Sequence, residues 1–161
     1  MAGASRRDFL GRLTAGGLAL TPLALALSAC GKSEWPEGMA EIKWDRETCP
    51  RCSMVISDRR FAAQLRGGPK NMVVKFDDIG CLTFWIRDNL KTYPWLDDPA
   101  TRMWVADVTS QGKEVIWLDP RQAHYVTRTS PMGYNFGAVA HPQTGSLDFA
   151  GMRQHVLAKG K

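Results

Sequence analysis

Histidine is scarce in this sequence, with three residues at positions 124, 141 and 155, and no two stand at a spacing that lets them share a metal ion. Signatures of hydrolytic catalysis are missing too: there is no G-x-S-x-G and no H-E-x-x-H. The two carboxylate pairs, Asp77-Asp78 and Asp97-Asp98, fall at an expected helix start and just ahead of Pro99, where capping and turn formation account for them. The formal charge is only +5 and is spread without a basic block, so nothing in the pattern supports nucleic-acid binding. The apolar run from Leu13 to Leu27 is too short to span a bilayer as a stable helix. A non-enzyme with no nucleic-acid partner is the expectation.

What the N-terminus does contain is an export signal. Arg6-Arg7 precede Phe9-Leu10 and the apolar run, as in a twin-arginine signal, although Gly11 stands where lysine is often found. The run ends in Leu27-Ser28-Ala29-Cys30, which resembles a lipobox, with the Cys30 thiol as the site of lipidation. Residues 1–29 are therefore read as a signal peptide. Residues 30–48, polar and broken by Pro36 and Gly38, are read as a lipid-anchored tether, and 49–161 as the working domain. Gly31 brings no inner-membrane retention signal, which points to the periplasmic face of the outer membrane. Loss of the signal takes Arg6, Arg7, Arg12 and Asp8 with it, and the formal charge falls to +3.

Periodicity predicts an α+β domain. Met54-Ser57 and Arg60-Leu65, separated by Asp58-Arg59, read as a hairpin, and Met72-Phe76 as a third strand. Asp77 or Asp78 caps a helix in which Ile79, Leu82, Ile86 and Leu90 recur at helical spacing, ended by Tyr93-Pro94. Further strands are expected at 104–108, 115–118, 124–127 and 134–140, and a last helix from about Ser146 with Phe149, Met152 and Val156 on one face. A sulfur-bearing loop leading into strands and a helix occurs twice, at 49–90 and 132–157, which suggests two ββα-like lobes facing a shared cleft.

With Cys30 lipidated, Cys49, Cys52 and Cys81 remain, an odd number in an oxidising compartment, so at least one thiol needs burial, a partner or a metal. Cys52 and Met54 are one residue apart. On an extended segment their side chains share a face, and thiolate with thioether selects Cu(I) over harder divalent ions. Met132, between Pro131 and Gly133 in a polar loop, is a candidate third sulfur ligand, weak enough to be displaced. Cys49 is either a fourth ligand or a disulfide partner of Cys52, while Cys81 and the three histidines read as packing residues.

These residues resemble the NosL-type copper chaperones, accessory lipoproteins of nitrous oxide reductase assembly. The likeness is carried by Cys49-Pro50-Arg51-Cys52-Ser53-Met54-Val55-Ile56-Ser57-Asp58, by Phe76-Asp77-Asp78-Ile79-Gly80-Cys81, by Ser130-Pro131-Met132-Gly133-Tyr134 and by the lipobox. It implies a periplasmic carrier of one Cu(I) ion, passed through an ABC-type membrane system toward the copper centres of nitrous oxide reductase. It implies ligands at Cys52, Met54 and Met132, and a fold of two small ββαβ-like lobes. Ser53 stands where the family often has glycine, a departure expected to matter little on a strand. The competing expectation is a thiol-disulfide oxidoreductase using Cys49 and Cys52; it lacks the helix start that such a pair requires, because Met54-Val55-Ile56 is β-rich.

Overall fold

In the computed structural model, which describes residues 35–160, alternating apolar residues build a four-stranded antiparallel sheet. Its strands are β1 (Ala63–Gly67), β2 (Met72–Phe76), β3 (Arg102–Ala106) and β4 (Trp117–Leu118), in the order β2-β1-β3-β4. In β1, Ala63 and Leu65 are buried and stand opposite Phe76 and Val74 on one side and Val105 and Met103 on the other. That register places one row of apolar side chains together, and shifting it by a residue would turn the row to the other face. A second sheet pairs β5 (His124–Thr127) with β6 (Phe136–Val139).

The β1-β2 and β5-β6 hairpins are each followed by a helix. After β2 comes α1 (Ile79–Asn89), with Ile79, Leu82, Phe84 and Ile86 buried; after β6 comes α2 (Phe149–Ala158), with Met152 and Val156 buried. Asp78 caps α1 by accepting from the Gly80 N–H at 2.8 Å, and Asp148 caps α2 by accepting from Gly151 at 2.7 Å. The fold is thus α+β, as expected, with a ββα unit in each half; in the second unit Met132 lies between the two strands and does not lead into both as the sequence echo has it. The two units share one hydrophobic core: it runs from Leu65 and Phe76 through Leu82 and Phe84 to Tyr125, Ala138 and Met152. The main chain stitches them together where Val108 N–H donates to Ala138 O at 2.8 Å. No helix among the described residues is long and apolar enough to cross a membrane.

Two expectations are corrected. Met54-Ser57 and Arg60-Leu65 form no hairpin around Asp58-Arg59. Instead the 54–56 stretch folds back on 47–49, with Cys49 N–H donating to Met54 O at 2.9 Å and Ile56 N–H to Glu47 O at 2.9 Å. The first regular strand begins only at Ala63, and its hairpin partner is β2. The part of the expected tether from residue 35 onward is also part of the fold. Met39 and Ile42 are buried in the core, Gln64 clasps the Ala40 main chain through two 2.8 Å bonds, and Trp35 stacks on Trp44. The signal peptide, Cys30 and the first residues of the tether lie outside the described residues.

Candidate metal centre

Cys49 and Cys52 stand at the two ends of a tight turn. The turn is closed by Cys49 N–H to Met54 O and by Ser53 N–H to Cys49 O at 2.8 Å, and it seats Cys49 beside the bridge that pairs Thr48 with Val55. Closing a turn in this space requires one left-handed residue, and Ser53 takes that role with φ 62°. This corrects the premise that Cys52 and Met54 lie on one extended segment with their side chains on a shared face. The chain reverses hand between them, and Met54 is left 55% exposed. It also gives Ser53 a physical role: its conformation is one that glycine adopts without a Cβ penalty.

Cys81, expected to be packing, is brought to the same place. It sits in the first turn of α1, buried, and its sulfur, that of Cys49 and that of Cys52 all lie within 4.8 Å of one another. Sequence reasoning missed the trio because nothing in the local spacing of Cys81 relates it to the Cys49 turn. The contact is made by β2, which delivers α1 to the back of that turn. A usable signal was available in the odd count of cysteines after Cys30, which calls for a reason for each.

The three thiols are chemically unequal. Cys49 accepts a hydrogen bond from the Cys81 thiol and further bonds from the main-chain N–H groups of Asp77, Cys52 and Arg51; against the opposing effect of burial, these bring its ionisation down to about 5. Cys81 is pushed strongly upward, first because its proton is engaged with Cys49 and then by burial. Burial also raises Cys52, and the neighbouring Cys49 thiolate raises it further. The group therefore titrates as a unit whose first proton leaves below the ordinary thiol range, with the negative charge centred on Cys49. Cys49 and Cys81 are fully buried, whereas Cys52 is partly open to solvent.

Two acidic residues border the trio. Asp78 is buried beside the loop that carries Met132: while one oxygen caps α1, the other lies 3.4 Å from the Met132 N–H, and the Ser130 hydroxyl donates to the same carboxylate. Tyr134 completes this junction. Its ring packs on Phe84 at 5.5 Å and on the bare Cα of Gly80. The ring thus anchors the far end of the Met132 loop to the first turns of α1, the helix that carries Cys81. Met132 itself is half-buried against the core. Asp77 does not cap the helix. It is buried with one oxygen unbonded, and burial, followed by the charges of Cys49 and Asp78, raises it to about 6. The histidines take no part: the trio is the metal-capable cluster of Cys, His, Asp and Glu among the described residues.

Three thiolates at such separations suit a soft cation. With metal–sulfur bonds of about 2.3 Å, two opposed sulfurs lie about 4.6 Å apart and three around one ion about 4.0 Å. Both distances lie under the 4.8 Å within which the three sulfurs are found.

No family model matches the sequence, and no curated protein matches it. Among solved structures, the copper chaperone NosL from Shewanella denitrificans aligns with 76% of this chain and 89% of its own, at 18% identity and a TM-score of 0.44. A likeness of that size carries no weight for ligands or function, which rest on the residues above.

Proposed function

We propose that this chain is a carrier of a single Cu(I) ion, held by sulfur in the periplasm and passed on to another protein. The observation that carries the reading is the convergence of Cys49, Cys52 and Cys81. Three sulfurs, two of them buried, with no histidine among them favour a soft monovalent ion over zinc, which normally draws on nitrogen or a fourth thiolate. Met132, tied by Asp78 to the helix that carries Cys81, and the exposed Met54 are the thioethers that assist capture of the ion. The order of the motifs along the chain supports a recipient in nitrous oxide reductase assembly, reached through its ABC-type maturation system. The lipobox supports attachment at Cys30 to the periplasmic face of the outer membrane. The carrier is not an enzyme in this reading, and Cu(I) is its cargo.

The oxidoreductase alternative draws on the low ionisation of Cys49. Against it, the Cys49-Cys52 pair lies in a turn rather than at a helix N-terminus, and Cys49 is shut away from any disulfide substrate. An anaerobic Cu(I) titration of the reduced full chain in detergent, against a chromophoric Cu(I) chelator, decides between them. The carrier reading expects one tight equivalent, weakened by Met132→Ala and abolished when all three cysteines become serine. A wild-type chain that cannot compete with the chelator would return the redox reading. Copper-free nitrous oxide reductase in cells lacking this protein is the expected sign of the recipient, and a fully loaded reductase in such cells would remove that part.

A further inference from the structure

The trio is asymmetric in a way that bears on how an ion leaves it. Cys49 is pinned: its sulfur receives three main-chain N–H groups, and its own main chain is fixed at the base of the turn. Cys81 is set in the first turn of a helix whose cap, Asp78, and whose neighbour, Tyr134, are both buried. Neither sulfur meets solvent. Cys52 differs on each count. It sits in the turn itself, next to the left-handed Ser53, it is partly exposed, and the side chains that follow it, Met54 and Val55, are exposed as well. An incoming ligand can therefore reach the ion only from the Cys52 side.

We propose that Cys49 and Cys81 form the retaining pair of the site and that Cys52 is the exchange ligand, the one a recipient's sulfur displaces first. The division rests on the carrier reading. Two sulfurs within 4.8 Å of each other suffice for Cu(I), which accepts two opposed thiolates at bonds of about 2.3 Å. The third sulfur is then free to come and go without loss of the ion. In the exchange step a recipient thiol forms a bond from its sulfur to Cu(I), the bond from Cu(I) to the Cys52 sulfur breaks, and the proton of the incoming thiol passes to Cys52. Copper remains Cu(I) and no electrons move. A recipient thioether does the same with the proton drawn from water. The inner pair follows only once the ion has a partner on the outside, so Cys52 commits the transfer while Cys49 and Cys81 prevent loss to solvent.

The test compares the reduced full chain in detergent with Cys49→Ser, Cys52→Ser and Cys81→Ser, each checked for folding by near-UV circular dichroism. Cys52→Ser is expected to keep one Cu(I) with affinity within about tenfold of wild type, whereas Cys49→Ser and Cys81→Ser lose at least about a hundredfold. X-ray absorption should count one sulfur fewer in loaded Cys52→Ser. Its release to excess chelator should be faster than wild type and should no longer depend on an added thiol. A Cys52→Ser loss as large as that of Cys81→Ser, or a Cys81→Ser variant that binds as wild type does, would overturn the division while leaving the carrier reading intact. Failure of wild type itself to bind would end both. A measurement that needs no variant stands beside these: in the metal-free reduced wild type, iodoacetamide should label Cys52 at least about tenfold faster than Cys49 or Cys81, since access controls thiol chemistry. Equal labelling of the three would overturn the proposal even where the variants fail to fold.

Discussion

The thiol of Cys81, in the first turn of α1, donates to the sulfur of Cys49 at the base of a turn that forms before the first strand. That bond couples the two ends of the site and fixes where its charge resides. In the reduced metal-free protein, thiolate absorbance should therefore show one group per chain ionising with a midpoint near 5. Cys81→Ala removes the leading stabiliser of that anion and should move the midpoint upward, toward the ordinary thiol value of about 8.5. If absorbance first rises only above that value in wild type, the shared proton is not there.

Ser53 holds a left-handed conformation, φ 62°, which costs a residue with a Cβ about 1–2 kcal/mol relative to its preferred regions. Glycine avoids that cost but loses more entropy on folding, so Ser53→Gly should stabilise the metal-free protein by about 0.5–1 kcal/mol in denaturant melts. Ser53→Val should destabilise it, since a β-branched residue tolerates this conformation worst. A neutral or stabilising valine would mean that the turn relaxes.

Asp77 gives a pH test with a definite sign. Its folded-state ionisation is raised to about 6 by burial and by the Cys49 and Asp78 charges, so the folded chain holds this proton more tightly than the unfolded one. The contribution to stability is fully present below the unfolded value of about 3.9 and is lost as pH rises through about 6. Asp77→Asn, which keeps an acceptor for the Ser57 N–H but cannot ionise, should make the metal-free protein more stable than wild type at pH 7 by about 1–2 kcal/mol. The advantage should vanish near pH 4. An advantage that persists unchanged there would assign the effect to packing instead of charge.

Much of this architecture was legible in the chain. The α1 helix and its buried row from Ile79 to Ile86 follow from periodicity, because a helix packed on one face writes that face into the sequence, while the cap was legible only as Asp77 or Asp78. The doubled ββα pattern and the Met132 loop were legible for the same reason. The Cys49 turn was not. Val55 and Ile56 have strong strand propensity, but they pair with Asp45, Glu47 and Thr48, residues that the polar composition of 30–48 had set aside as tether. Local propensity could not reveal that Met39 and Ile42 are buried, nor that Cys81 meets Cys49, because both are long-range contacts fixed by the sheet. The sequence grouped Cys52, Met54 and Met132 and set Cys81 apart, whereas the meeting of Cys49, Cys52 and Cys81 came from the fold.

Gly80 is where the Met132 loop and the cysteine trio are joined, and it offers the most selective way to separate them. A Cβ at this position would lie 2.2 Å from the buried Tyr134 ring and 2.8 Å from the Tyr134 Cβ, inside any allowed contact, so turning the ring alone does not relieve the clash. Gly80→Ala should therefore cost about 1–3 kcal/mol by overpacking, although alanine is the better helix former. Relief should come from the other partner. In Gly80→Ala/Tyr134→Ala the cost of the two changes should be smaller than their sum, because the clash is gone once the ring is removed. Denaturant melts of the two single variants and the double variant measure this coupling directly. If the ring yields by unseating the loop, Gly80→Ala should weaken Cu(I) binding as Met132→Ala does, while thiolate absorbance at the trio stays as in wild type. Additive costs, with no effect on copper, would show that Tyr134 merely covers the helix and leaves Met132 where it was.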